Sequence, residues 1–534
     1  LKPLAQTFSP AQERRGVILT PSRPMALSQA CCLSGGHGRV TFVSLFSCVG
    51  ALLFGLDMGY IGPILDDPQF KRDVVHMEDW ANPAAQLRSL TAGFIVGAFA
   101  LGCILTSCPV ISSLFLDRLG RKVSIMIGAV VFALGAGLQM VAGSAHVFIL
   151  GRVVAGCSIG VLSTAVPLYQ AEIAPPELRG SLASLFQVMI IIGVVVAALL
   201  DQLLLPLDDG WRIAIGVQMV PALVLFLGMV PLPRSPRWLV QQGREEEARR
   251  ALRKFTGEAR AEVELKEIVE SFEAERQMGD APWSEILTGR GLRLLAIGVA
   301  LQLLQQLQGI NAIIMFGPRI FRAINLLDAN SCQTITNAVL LLGTLPAPLL
   351  MDRVGRRTLL AWSAALQGLP SLVIGIAGLT SMAREGDGWR ATNEVAGWAT
   401  AIAVLVYVFN FGYGWGPTTW VYCGEMFPLR CRSRCAGLTT MSNWLGVYIV
   451  GQMTPVLLET FGFGAFLLFS GFSLLAYCLA VWLPETKGVV LELVDDLFDE
   501  KLGARSKLKG GGATCESEAD TNSGEGSSSS PNAC

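Results

Sequence analysis

The chain has 534 residues, of which 52% are hydrophobic and 16% charged. Soluble domains carry about 25% charged residues, so composition argues against a soluble multidomain enzyme. Lys+Arg total 41 against 42 Asp+Glu, a formal net charge of -1, which gives no reason to invoke nucleic acid.

Residues 1–39 are polar, contain proline and are nearly free of acid, with Arg14, Arg15, Arg23 and Arg39. They read as a disordered cytoplasmic tail, with an organelle transit peptide as the sharper alternative. The chain begins with Leu1 and its first methionine is Met25, which leaves the completeness of this end open.

Apolar runs follow that are long enough to cross a bilayer, each needing about 20 residues. Six are predicted in the N-terminal half, at roughly 40–64, 90–116, 122–143, 147–169, 181–201 and 212–232. Six more are predicted at roughly 293–316, 333–351, 358–380, 396–424, 435–458 and 462–483. The strings DRLGRK (Asp117 to Lys122) and DRVGRR (Asp352 to Arg357) occupy matching places, after spans 2 and 8. This repeat implies two related halves and a polytopic membrane protein built by duplication. The division that results is a tail at 1–39, a bundle at 40–232, a charged linker at 233–292, a second bundle at 293–484 and a tail at 485–534. Within the linker, REEEARRALRKF reads as an amphipathic surface helix. The last tail is rich in Gly and Ser and reads as mostly disordered.

Arg118, Arg121 and Lys122, then Arg353, Arg356 and Arg357, then Arg430, Arg432 and Arg434 fall in short loops on one side. The positive-inside rule makes that side cytoplasmic, and an even number of spans puts both termini there too. The loop from Asp66 to Arg88, on the other side, carries more acid than base.

The 13 cysteines do not read as a disulfide framework. Cys48, Cys103, Cys108, Cys157 and Cys478 lie in apolar runs, where a free Cys acts as a small hydrophobe. Cys31 and Cys32 are adjacent near the N-terminus, and Cys515 and Cys534 lie in the polar tail. His37, His76 and His146 are the only histidines, none near a cysteine pair, and no metal-ligand spacing appears. No cofactor is expected.

Ionisable groups inside a membrane helix are costly and mark function by default. Asp57 lies well inside span 1, in LLFGLDMGYIG, and Arg152 begins span 4, in FILGRVVAGCSIG. They form either a structural pair or a proton site. An aspartate beside a guanidinium stays ionised, whereas isolation in an apolar pocket favours its protonated form. Alternating those environments would take up a proton on one side of the membrane and release it on the other. Amides form a second set. Gln187 is on span 5. Gln302, Gln305 and Gln306 share one face of span 7 at i, i+3, i+4 spacing, with Asn311 beyond them. Asn443 and Trp444 are on span 11, and Trp415 and Trp420 on span 10. A carboxamide both donates and accepts, as a sugar hydroxyl does, so these residues suit a neutral polyhydroxylated ligand. The plainer reading is interhelical glue.

With these residues on the page, the chain resembles the sugar porters of the major facilitator superfamily, and among them the proton-coupled monosaccharide symporters of algae and plants. The likeness covers about residues 40–495. It rests on FGLDMG at span 1, GR at 151–152, PPELRG at 175–180, QQLQGINAI at 305–313, WGPTTW at 415–420, GEMFPLRCRS at 424–433 and PETKG at 484–488, in family order. The resemblance implies an all-α membrane protein with the major facilitator fold: 12 transmembrane helices in two pseudo-symmetric six-helix bundles, with cytoplasmic linker helices. It implies that Asp57 and Arg152 couple the proton. It implies that Gln187, Gln305, Gln306, Asn311, Trp420 and Asn443 hold the sugar, with Asn337 a further candidate. It implies that Asp117, Arg118, Arg121, Glu172, Asp352, Arg353, Arg356 and Glu425 gate the cytoplasmic side.

Three departures stand out. Leu340 occupies the family's span 8 asparagine position, with Asn337 three residues earlier, so one sugar contact and the choice of substrate are open. The family's PESPR string reads PRSPR, with Arg234 for the acid. The loop between spans 1 and 2 has no cysteine, so a disulfide-tied lid is not evident. The expected activity is uptake of a hexose, glucose first, with a proton and by alternating access; it involves no covalent step and is not enzymatic. A proton-independent facilitator of sugar or polyol and a non-transporting sugar sensor are the alternatives. The expected partners are a monosaccharide, protons and lipid, with the chain acting as a monomer. The plasma membrane is favoured, with a plastid or vacuolar membrane kept open by the basic N-terminal segment.

Overall fold

In lipid a peptide backbone has no water to bond, so an apolar run must satisfy itself as helix. The structure, a computed structural model, describes residues 36–77, 89–174, 179–279, 282–324, 329–385, 388–428, 431–487 and 498. Among these, 11 helical stretches are long and apolar enough to cross a membrane. Spans 1 to 6 are Gly38–Asp66, Leu90–Ser107, Arg121–Met140, Ala145–Ile173, Ser184–Leu204 and Gly210–Met229. Spans 7 to 10 are Gly289–Ala323, Asn330–Met351, Arg356–Thr380 and Glu394–Glu425. The final stretch, Arg434–Trp482, holds spans 11 and 12, the helices Arg432–Phe461 and Phe466–Trp482, joined by a 3-10 turn at Gly462–Ala465. The architecture is that of the major facilitator fold, two pseudo-symmetric bundles of six helices, as expected.

Within the first bundle span 4 packs on spans 2 and 3, and span 1 on span 5. In the second, span 9 packs on spans 10 and 12, and span 8 on span 10. The most extensive contacts between the bundles are span 2 with 11, span 5 with 8 and span 1 with 7. Absent side chains let spans 1 and 5 approach: a Cβ on Gly55 would fall 1.9 Å from the Ile190 carbonyl oxygen, and one on Gly193 2.5 Å from that of Leu52. Such small-residue contacts replace the hydrophobic drive that is missing between helices in lipid. The outer surface carries exposed Leu134, Leu203, Leu223, Leu369 and Leu474, as a lipid-facing surface should.

Several spans are broken. Span 7 breaks at Gly309 (φ 100°), between Gly289–Leu307 and Ile310–Ile324, and span 10 at Gly414, between Glu394–Tyr413 and Trp415–Glu425. Non-helical backbone at this depth is tolerated where protein surrounds it. In the linker, Glu245–Thr256 is the expected amphipathic helix, burying Ala248, Ala251, Leu252 and Phe255 on one side. An antiparallel hairpin, β1 (Met382–Glu385) and β2 (Gly388–Ala391), lies between spans 9 and 10; no strand was expected there. The readings for residues 1–35 and for the tail after Phe498, Arg430, and the side chain of Asp352 lie outside the described residues.

Candidate functional site

Asp57 and Arg152 meet in the first bundle at 1% and 0% exposure. Arg152 Nη1 donates to Asp57 Oδ2 at 2.6 Å. The rest of the guanidinium fork is used as well: Nε donates to the Ile95 carbonyl at 3.2 Å and Nη2 to that of Val96 at 3.3 Å. The Phe99 ring centroid lies 4.9 Å from the guanidinium carbon, close enough for a cation–π contact. The Tyr60 hydroxyl stands 3.3 Å from both Asp57 Oδ1 and Arg152 Nη1, and donates to Gln139 Oε1 at 2.5 Å. A hydroxyl has one proton to give, and Gln139 is the nearer acceptor, so Asp57 relies chiefly on Arg152. Tyr60 and Gln139 were not anticipated; the sequence signals were a tyrosine one helical turn after Asp57 and a glutamine near the end of the apolar run of span 3.

The amides converge in the second bundle. Asn443 Nδ2 donates to Gln302 Oε1 and to Gln305 Oε1, each at 2.7 Å, and its Oδ1 accepts from Gln306 Nε2 at 3.1 Å. Gln305 Nε2 donates to the carbonyls of Trp415 and Gly416, at 2.7 and 2.9 Å, just past the break in span 10. Asn311, just past the break in span 7, donates to Gln306 Oε1 at 2.5 Å. All five amide side chains are buried. The three glutamines therefore do share a face, as their spacing predicts, and Asn443 ties them together.

Asn337 does not join this cluster through any hydrogen bond among the described residues: its Oδ1 accepts from Gln333 Nε2 at 3.1 Å, within span 8. Its Nδ2, like Gln333 Oε1, is buried with no hydrogen-bond partner among the described residues. Leu340 is buried at 1% exposure. Gln187 and Trp420 are half-buried. Trp444, next to Asn443, packs its ring 5.0 Å from Phe54 and 5.9 Å from Phe99. It thereby reaches across the bundle interface to the ring beneath Arg152.

The two DRxGR motifs build matching networks at one end of the molecule. Arg121 contacts Glu172 through Nε at 2.9 Å and Nη2 at 2.8 Å, and its Nη1 donates to the Leu116 carbonyl at 3.0 Å. Arg356 contacts Glu425 at 3.1 Å and the Met351 carbonyl at 3.2 Å. In both cases the carbonyl lies five residues back. A hydroxyl donates to the second oxygen of each acid, Ser235 to Glu172 and Thr486 to Glu425. Gly120 (φ 83°) and Gly355 (φ 102°) open the following helices in a region that favours glycine. A Cβ there would also strike Trp238 or Glu485. Asp117 Oδ1 stands 3.9 Å from Arg121, and Arg118 and Arg353 are exposed. Glu485 Oε1 and Oε2 accept from the backbone N–H groups of Arg356 and Arg357 at 2.9 and 3.1 Å. Arg234, at the corresponding place in the first half, instead stacks over Trp238 at 4.9 Å.

At the opposite end two polar links join the bundles. Asp66 on span 1 stands 3.4 Å from Arg319 and 3.3 Å from Arg322 on span 7. Gln202 on span 5 donates to Thr334 on span 8 at 2.8 Å. Nearby Lys71 is held below the ordinary ammonium range, chiefly by burial, with Asp66 opposing. Among the described residues no group of three or more His, Cys, Asp or Glu side chains could hold a metal.

The family model described as "Sugar (and other) transporter" matches residues 43–498. The chain is 31% identical over 485 residues to the arabinose-proton symporter of Escherichia coli, covering 88% of this chain and 94% of that one. It is 31% identical over 454 residues to plastidic glucose transporter 4 of Arabidopsis thaliana, covering 84% and 78%. To hexose transporter HXT10 of Saccharomyces cerevisiae it is 29% identical over 480 residues, covering 87% and 86%. Among solved structures, the proton:xylose symporter XylE bound to 6-bromo-6-deoxy-D-glucose superposes with a TM-score of 0.70 at 26% identity, covering 86% of this chain and 99% of that one. The partially occluded inward-open form of XylE from E. coli also gives 0.70, at 25% identity, covering 85% and 100%. These matches span bacterial, yeast and plant proteins. The chain is a multi-pass membrane transport protein and belongs to the sugar porter family of the major facilitator superfamily.

Proposed function

We propose that this chain is a proton-coupled sugar symporter of the kind found in algae and plants, carrying a hexose, with glucose the first substrate to test. The observation that carries the reading is the buried Asp57–Arg152 pair at 2.6 Å. Burying two charges costs several kcal/mol per ion unless they are paired and hydrogen-bonded. A proton on Asp57 removes half of that pair and leaves Arg152 on the carbonyls of Ile95 and Val96. The pair is thus a two-state element that a proton can bias. The sugar is held by Gln187, Gln305, Gln306, Asn311, Asn443 and Trp420, with Asn337 at its edge; its hydroxyls exchange for the amide–amide bonds now linking several of these residues.

The bundles at 40–232 and 293–484 rock about this centre, joined by the linker at 233–292. The basic loops face the cytoplasm by the positive-inside rule, which puts both termini there and makes the Asp66–Arg319 end the outer one. The networks of Asp117, Arg118, Arg121 and Glu172, and of Asp352, Arg353, Arg356 and Glu425, gate the inner end. The chain works as a monomer in the plasma membrane. One charge crossing 100 mV supplies about 2.3 kcal/mol, roughly a fifty-fold concentration ratio. The arabinose and xylose relatives named as proton symporters support this reading.

A facilitator is the rival reading. It draws on the two span 2 carbonyls, which anchor Arg152 whatever the state of Asp57 and suit a purely structural pair. The test is labelled glucose entry into cells lacking hexose carriers, at acid and neutral external pH, with and without a protonophore. Acid-stimulated, concentrative uptake that the protonophore abolishes supports symport. Uptake that only equilibrates and ignores the protonophore overturns it.

A further inference from the structure

Asp201 lies on span 5 at 2% exposure, one residue before Gln202. Neither of its carboxylate oxygens has a hydrogen-bond partner among the described residues. This sets it apart from Asp57, which has a guanidinium, and from Asp66, which has two arginines. The elements packed against span 5 bring several charged groups. Span 1 carries Asp57 and Asp66; span 4 carries His146, Arg152 and Glu172; span 6 carries Arg212. The first turn of span 1 carries Arg39, the turn just past span 8 Arg353, and span 10 Glu394 and Glu425. Of the described charged groups, the one near enough to act on Asp201 is Asp67, another acid, whose own carboxylate caps the Phe70 N–H at 2.8 Å. Among the described residues no cation offsets a charge on Asp201.

An ionised carboxylate without donors or a counter-ion at such a site costs several kcal/mol. The neutral acid avoids that cost. The residue also stands beside the clasp that closes this end, since its neighbour Gln202 bonds Thr334 across the bundles at 2.8 Å. We infer that Asp201 is a second proton-binding site, filled when the outer mouth is shut and emptied to the outer solution when the mouth opens. The step is one proton from outside water onto one carboxylate oxygen, with no other bond made or broken. Asp201 thus senses outer pH at the gate, separately from the Asp57 pair. By linkage, acid favours closure: each pH unit lowered through the range where the exposed carboxylate is ionised shifts the closed-to-open ratio about tenfold. The inference rests on the alternating-access reading and on the outward orientation of this end.

The experiment uses the full chain in lipid nanodiscs without sugar, in an Asp57→Asn background so that the coupling acid does not contribute. Spin labels enter as unnatural amino acids at Leu207 and Val395, 49% and 79% exposed at this end of the two bundles. The distance between them is followed from about pH 8 to about pH 5. The closed population should rise with acid in the Asp57→Asn protein. It should be high and independent of pH once Asp201→Asn, or separately Asp201→Leu, is added. Retention of the titration in either double variant, or its absence from the Asp57→Asn protein, overturns the inference. Because no substrate is present, a chain that fails to move sugar can still pass this test.

Discussion

Trp444 packs its ring 5.9 Å from that of Phe99, and the same Phe99 ring lies 4.9 Å from the Arg152 guanidinium. Trp444 is also the residue after Asn443, the hub of the amide cluster. One aromatic contact therefore separates the acid–guanidinium pair of the first bundle from the amides of the second. Span 2, which carries Phe99, also supplies the two carbonyls that hold Arg152.

That contact should carry the coupling. Phe99→Leu removes a cation–π interaction worth about 0.5–2 kcal/mol and the aromatic surface against Trp444. Acid stimulation of sugar uptake should fall roughly three- to tenfold, with the apparent KM nearly unchanged. Initial uptake rates across external pH check this. A pH profile identical to the original chain would assign Phe99 to packing alone.

Asn443 and Gln187 should separate folding from binding. Asn443→Ala removes three hydrogen bonds from the buried glutamines and leaves among the freed groups only the long Gln306–Gln305 contact at 3.4 Å; a buried group left unsatisfied costs about 1–3 kcal/mol. Both the melting temperature and sugar affinity should drop. Gln187 is half-buried and has no hydrogen-bond partner among the described residues. Gln187→Ala should leave the melting temperature within experimental scatter and weaken sugar binding about tenfold, the loss of roughly one hydrogen bond. Thermal melts with and without sugar report both quantities.

The asymmetry between Arg234 and Glu485 makes a stability prediction. Glu485 caps the first N–H groups of span 9, where an acid is favourable by about 0.3–1 kcal/mol, whereas Arg234 places a cation at the matching place beside span 3. Glu485→Ala should lower the melting temperature. Arg234→Glu should raise it by less, because the stacking on Trp238, about 0.5–1 kcal/mol, is lost. A fall on Arg234→Glu as large as that on Glu485→Ala would count against the matched-halves account.

Gly120→Ala and Gly355→Ala test the hinge of each DRxGR motif. Both glycines have positive φ, and an added methyl would stand 2.8 Å from Trp238 or 2.6 Å from Glu485. Each variant should lose more than about 1 kcal/mol, read as a lower melting temperature and reduced yield of folded protein.

The twelve spans were legible because lipid demands long apolar helices, and the DRxGR repeat placed the two halves. The glutamines of span 7 were legible as one face because helical spacing is local. What escaped was whatever depends on a neighbour far along the chain. Tyr60 and Gln139 are 79 residues apart, and neither run marks the other. Asn337 lies three residues before Leu340, on nearly the same face of span 8, and its bond to Gln333 could not be read from that spacing alone. Asp201 fell at the last residue of its predicted span, where an acid reads as a solvated helix end; span 5 continues to Leu204 and buries it. The β1–β2 hairpin is four residues on each strand, too short for an alternating pattern to register.

The central claim is that a proton on Asp57 is carried with the sugar. The direct measurement is proton movement into proteoliposomes on adding sugar, with no imposed gradient, for the original chain and for Asp57→Asn. The account predicts sugar-induced proton entry in the original and none in Asp57→Asn, which should still exchange labelled sugar. Sugar entry without proton movement in the original chain would contradict it and leave Asp57–Arg152 a structural pair.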